Sequence, residues 1–188
     1  MTDQSRKAIL GFRLAFEAQR TVWPRRSSRN DSAPMRRNDK EITDRSQLDA
    51  IIHGSQVCRL ALAKDNTPYL VPLSFGYDGE ALYLHTAPDG KKIDYFQANP
   101  QVCFEFERNV ELRRDPDNAC KWSFNFESVI GFGTVHELTV PAQKEHALNE
   151  IMRHYSGQTW SFEPGAPAKV RVWKVAITSL TGKRSPPK

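Results

Sequence analysis

The chain has 188 residues, 39% of them hydrophobic and 26% charged, with a formal net charge of +5. That length suits one domain with a tail and can bury a core without disulfides or metal. No run approaches the roughly 18 apolar residues of a membrane helix, and Cys58, Cys103 and Cys120 form no CxxC pair, so neither a membrane span nor a disulfide or zinc framework is expected.

The cysteine usage suits a reducing compartment, and the cytoplasm is the expected location. The basic charge is concentrated at one end. Residues 1–34 carry seven Lys/Arg against three Asp/Glu, and the remainder carries twenty against nineteen. Residues 1–34 read as a basic, flexible extension, and residues 35–188 as the main domain. The near-neutral domain argues against a nucleic-acid-binding face.

Asp44 begins the first helix, with Leu48, Ile51 and Ile52 on one face and Gly54 at its end. Residues 57–63 form a strand in which Arg59 stands among apolar neighbours. A turn at Lys64-Asp65-Asn66-Thr67-Pro68 leads to a second strand, residues 69–77, where Pro72 marks an edge or a bulge. Asp78-Gly79 is a hairpin signal, so residues 80–86 are its antiparallel partner. Pro88-Asp89-Gly90 is a turn, and Asp89 is placed to cap a helix running through Ile93 and Phe96 to Asn99-Pro100.

Residues 101–107 alternate as a fourth strand, and the charged run 108–121 reads as a long loop. Residues 128–138 form a strand interrupted by Gly131 and Gly133, which predicts a bend or a close approach. Residues 141–155 form a helix with Pro141 in its first turn. Residues 170–180 form the last strand. The fold class is α+β, mainly β: about six antiparallel strands with short flanking helices, in a barrel-like arrangement.

The candidate chemistry gathers at residues 85–94. His85 and Thr86 end a strand that faces a helix N-terminus carrying Lys91 and Lys92. Free backbone N–H groups, the helix dipole and two ammonium groups together suit a phosphate. Arg59 in its apolar strand needs an anionic partner: a phosphate, a flavin carbonyl or a carboxylate. Glu105 and Glu107 share a strand face and read as solvated. His53 and His136 read as structural, and His146 and His154 as surface residues. No Gly-x-Ser-x-Gly motif or dinucleotide fingerprint is present.

The order of six motifs resembles a known family. They are Val57-Cys58-Arg59-Leu60-Ala61-Leu62, Val71-Pro72-Leu73-Ser74-Phe75-Gly76-Tyr77, Leu82-Tyr83-Leu84-His85-Thr86-Ala87, Gly90-Lys91-Lys92-Ile93-Asp94, Asn99-Pro100-Gln101-Val102-Cys103-Phe104 and Ser128-Val129-Ile130-Gly131-Phe132-Gly133. The series is similar to the pyridoxamine 5'-phosphate oxidase-like split-barrel flavoproteins, and within them to the 5-nitroimidazole-resistance proteins. The resemblance implies a six-stranded split barrel that forms a homodimer with FMN at the subunit interface.

By that resemblance, Lys91 and Lys92 hold the phosphate, and Arg59, Leu60 and Ala61 contact the flavin. Pro72, Leu73, Ser74 and Phe75 run along the ring, His85 and Thr86 meet it, and Ser128 joins from the long strand. His85 is the implied catalytic residue. The implied activity is FMN-dependent reduction of a small electrophile such as a nitroaromatic, with a nicotinamide nucleotide as reductant. The alternative is a flavin- or haem-binding protein of the same barrel without turnover. The Trp-Gln-Gly and Arg-x-His signature of true pyridoxamine phosphate oxidases is absent, and Thr181-Gly182-Lys183-Arg184 stands in its place. Vitamin B6 oxidation is therefore not the expected activity.

Overall fold

In the computed structural model the described residues are 37–185. The basic extension expected over residues 1–34 lies outside them. The described chain is mainly β: one antiparallel sheet of eight strands with three α-helices. The strands are β1 (Glu41–Ile42), β2 (Cys58–Lys64), β3 (Thr67–Leu73), β4 (Gly76–Tyr77), β5 (Ala81–Thr86), β6 (Gln101–Arg113), β7 (Ser123–Leu138) and β8 (Arg171–Ser185). The helices are α1 (Arg45–His53), α2 (Lys91–Ala98) and α3 (Pro141–Ser156). Because β1 and β4 have two residues each, the six strands legible in the sequence are the six long ones.

The sheet order is β3-β2-β6-β7-β8-β5-β4, with β1 added to β8. Inner-face residues from both halves of this path, Leu60 of β2 and Leu82 of β5 among them, belong to one apolar cluster. The sheet therefore curls around its core. Phe75, Phe104 and Phe106 are fully buried in it. The two ends of the path, β3 and β4, are joined through Ser74-Phe75, and no ladder pairs them among the described residues.

Local chemistry explains most element ends. Asp44 caps α1 by accepting from the Ser46 N–H at 2.9 Å. Asp65 and Asn66 take positive φ values of 50° and 60° in the two-residue turn between β2 and β3, which Asp and Asn tolerate better than most residues. Gly131 faces the Phe104 ring so closely that a Cβ there would overlap it, which is the close approach its place in a strand suggests.

Four sequence expectations shift. The strand expected over 69–77 is broken at Ser74-Phe75, giving β3 and β4. The hairpin turn centres on Gly79-Glu80, not Asp78-Gly79: Tyr77 faces Leu82, and the Asp78 carboxylate instead accepts from the Glu80 and Ala81 N–H groups. Gly90, not Asp89, is the N-cap of α2, and no side chain caps it. The expected loop 108–121 begins later, since β6 continues to Arg113 and pairs with β7 beyond a bulge at Asn109 (φ 55°), which leaves residues 114–121 as the connection. The charges there misled because the extended hairpin leaves the core behind and need not alternate apolar and polar residues.

Candidate functional site

Strand alternation sorts the residues singled out on β2 onto two faces. Leu60 is buried inside the curled sheet, whereas Arg59 is exposed and Ala61 half-buried on the outer face. Arg59 lies opposite Pro72 of β3 and Glu105 of β6. Its guanidinium Nη1 is 3.0 Å from Glu105 Oε2 and 3.9 Å from Glu107 Oε2. The anionic partner that Arg59 needs is thus supplied by the chain itself, as a pair of carboxylates. The group remains in contact with solvent, so the pairing contributes only about 0–1 kcal/mol. Ser128 stands half-buried on β7, opposite Glu107 and Lys183.

Alternation also separates His85 from Thr86. The Thr86 side chain is buried: its Oγ1 donates to the Ala87 carbonyl at 2.9 Å and accepts from Trp173 Nε1 at 3.1 Å. His85 is exposed on the opposite face, across the ladder from Val172. Its imidazole is only partly solvated, and this desolvation holds its pKa below the ordinary 6.5. His85 is therefore mostly neutral at pH 7.

Lys91 and Lys92 occupy the first turn of α2, directly after Gly90, whose φ of 142° few other residues adopt. The Lys91 ammonium lies 4.7 Å from the centre of the Tyr69 ring and 5.8 Å from that of Tyr95, so cation–π attraction orients it. No side chain caps the turn, and two lysines stand in it. This arrangement fits a phosphate or another anion.

The third part is the break between β3 and β4. Pro72 and Ser74 are exposed, Leu73 is half-buried and Phe75 is fully buried. The Phe75 ring meets Phe106 at 4.7 Å and His154 at 4.1 Å, centre to centre. The Tyr155 hydroxyl accepts from the Phe75 N–H at 3.2 Å and donates to the Gln56 carbonyl at 2.8 Å. His154 Nε2 lies 2.9 Å from the Ser55 carbonyl, so that nitrogen carries the proton. Reading His154 as a surface residue is thus corrected: it is half-buried and bonded. Neither residue was identifiable from sequence, because their partners lie 80 and 99 residues away.

The parts lie on two regions of the fold. Arg59, Ala61, Pro72 and Ser74 lie on or beside the outer sheet face, and His85, Lys91 and Lys92 lie at the corner where β5 leads into α2. The pattern of the pyridoxamine 5'-phosphate oxidase family matches residues 44–184, which covers both regions. The chain belongs to that family. A Bacteroides thetaiotaomicron protein described as a candidate 5-nitroimidazole antibiotic resistance protein is 35% identical, with 76% of this chain and 85% of that one covered and a TM-score of 0.68.

The flavocytochrome Anf3 of Azotobacter vinelandii shares the family's fold at 16% identity, covering 85% of this chain and 75% of that one with a TM-score of 0.74. An uncharacterized protein of Rhizobium meliloti (strain 1021) is 31% identical over 73 residues, 39% of this chain. That match spans about half, 48%, of the relative's length. Among the described residues, no helix of this family member is long and apolar enough to cross a membrane.

His154 gives the site a pH signature. Burial, and then the nearby charge of His53, lower its pKa below 6.5, against an opposing pull from the Ser55 carbonyl. Between the folded value and 6.5, the unfolded chain binds more protons than the folded one. Stability from neutral His154 is therefore present above pH 6.5 and is lost as pH falls from 6.5 through the folded value. In His154→Gln the amide keeps a donor for Ser55 but does not titrate. The decline of Tm between about pH 6.5 and pH 5 should be shallower in this variant than in wild type. Parallel curves would show that His154 does not carry the effect.

Proposed function

We propose that this protein is an FMN-dependent oxidoreductase that reduces a small electrophile such as a nitroaromatic, acting as a homodimer with FMN at the subunit interface. The observation that carries the reading is the uncapped first turn of α2, with Lys91 and Lys92 in it and His85 six residues before Lys91. A phosphomonoester would satisfy that turn's N–H groups and both ammonium groups, which favours FMN over a cofactor lacking a terminal phosphate. The 35%-identical Bacteroides relative, with its assignment to nitroimidazole resistance, supports the substrate class.

Bound flavin would supply the electron transfer, with a nicotinamide nucleotide as the reductant. The chain's own residues bind and orient. Arg59, its charge shared with Glu105 and Glu107, would lie beside the ring with Ala61 on the same face, and Leu60, whose side chain is buried inside the sheet, would contribute through its backbone. Pro72, Leu73, Ser74 and Phe75 form a segment held rigid by the burial of Phe75, and Ser128 would join from the long strand. Thr86 would act through its backbone, since its hydroxyl is engaged with Trp173 and Ala87. His85, neutral at pH 7, would position the substrate by hydrogen bonding. Its protonated fraction, larger below pH 6.5, would donate a proton.

The outer sheet face supports a second copy. Leu70 is 61% exposed, Phe124 50%, Ile130 44% and Phe132 42%. The even-numbered residues of β7 share that face with Ala61 and Leu70, so these side chains make an apolar surface that water solvates poorly. A symmetric partner would cover it and bring a second chain to Arg59 and Ala61.

Three measurements test this reading. Native mass spectrometry should find two chains with two FMN molecules, and release by denaturation should yield the mass of FMN; haem or FAD instead would overturn the cofactor assignment. Lys91→Ala/Lys92→Ala should weaken FMN binding at least about tenfold and leave riboflavin binding nearly unchanged; equal losses for both would remove the phosphate role. His85→Ala should retain the flavin and lose nitroreduction, so unaltered turnover would exclude His85 from the reaction.

A further inference from the structure

The end of α3 holds open the ladder between the two segments that the proposed flavin site uses. The β2–β3 register pairs Lys64 with Thr67 and ends at Cys58 opposite Leu73. Continued by two residues on each strand, it sets Gln56 opposite Phe75. A continued ladder would send the Phe75 N–H directly to the Gln56 carbonyl at about 2.9 Å. The Tyr155 hydroxyl occupies that position instead. It takes the Phe75 N–H at 3.2 Å and gives its own proton to the Gln56 carbonyl at 2.8 Å, so the strands stand one oxygen atom further apart.

Neighbouring contacts fix the wedge. His154 holds the Ser55 carbonyl at 2.9 Å and packs against the Phe75 ring at a tilt, 4.1 Å centre to centre. Gly76 lies so close to the α3 backbone that a Cβ there would come within 2.5 Å of Glu150 C and Ile151 N. Ser74 sits between Leu73, paired in the ladder, and Phe75, pinned by α3. Its backbone is therefore held on both sides.

We propose that Tyr155 is a positioning residue for the flavin. By standing between Gln56 and Phe75, just beyond the last β2–β3 ladder pair, it sets how far the backbone at Ser74 lies from the residues leading into β2, beside which the ring would lie. This rests on the FMN reading above. Tyr155 acts through those segments and touches no reacting atom. Without the hydroxyl, either the strands close up or the Phe75 N–H loses its partner, and both outcomes move Ser74.

The test compares Tyr155→Phe with Tyr83→Phe. The second variant removes another hydroxyl bond, 2.7 Å to Asp78 Oδ2, from a tyrosine of β5 that packs against His146 of α3 and whose hydroxyl bonds to neither β2 nor the Ser74-Phe75 break. Wild type is first loaded with FMN; failure to load overturns the flavin reading, and this proposal with it, before any variant is compared. Given loading, Tyr155→Phe should bind FMN about tenfold more weakly and should shift the visible absorption and circular dichroism of the bound flavin. Tyr83→Phe should lower Tm while leaving the flavin signature as in wild type. The positioning role is overturned if Tyr155→Phe lowers Tm but keeps the wild-type affinity and spectrum, or if Tyr83→Phe perturbs the flavin equally.

Discussion

The burial of Phe75 is the constraint on which the rest of the structure depends. It sits where β3 gives way to β4, the one stretch of chain that joins the two ends of the sheet path. Its ring fills the concave face beside Phe106 and is closed over by His154. Emptying such a position typically costs about 3–5 kcal/mol, against a total stability of about 5–15 kcal/mol for a domain. One aromatic side chain therefore holds the sheet curled and fixes the backbone of the exposed residue before it, Ser74.

The charged residues follow a different logic. Arg59, Glu105 and Glu107 form a partly solvated trio on the outer face, and Lys91 is steered by aromatic rings. Solvated charges add little to stability, so they are available to a ligand at small cost to the fold. Stability lies in the aromatic interior, and the charged groups lie at its solvated edge. His85 and Thr86 show the division within two residues: Thr86 ties β5 to Trp173 inside, and His85 faces outward.

The fold was largely legible because strand alternation and helix periodicity are local. The six long strands, the Asp44 cap, the close approach at Gly131 and the position of Lys91 and Lys92 at a helix start all follow from neighbours within a few residues. The errors also have local causes. Residues 69–77 read as one strand because Tyr69, Val71, Leu73, Phe75 and Tyr77 keep the strand alternation throughout, and the break at Ser74-Phe75 lies where α3 packs against it. Residues 108–121 read as a loop because their charges suit solvent, and hairpin pairing with β7 is what makes residues 108–113 strand.

By itself, the sequence determined the class of fold, the family-like order of motifs and the placing of His85, Lys91 and Lys92 around a helix start, since each depends on spacing along the chain. Tertiary structure alone decided that Arg59 finds two carboxylates, that Thr86 turns inward to Trp173, and that Tyr155 stands between Gln56 and Phe75. These are contacts between residues 46 to 99 positions apart. No local pattern encodes such pairs, because the curl of the sheet brings them together only once its interior is packed.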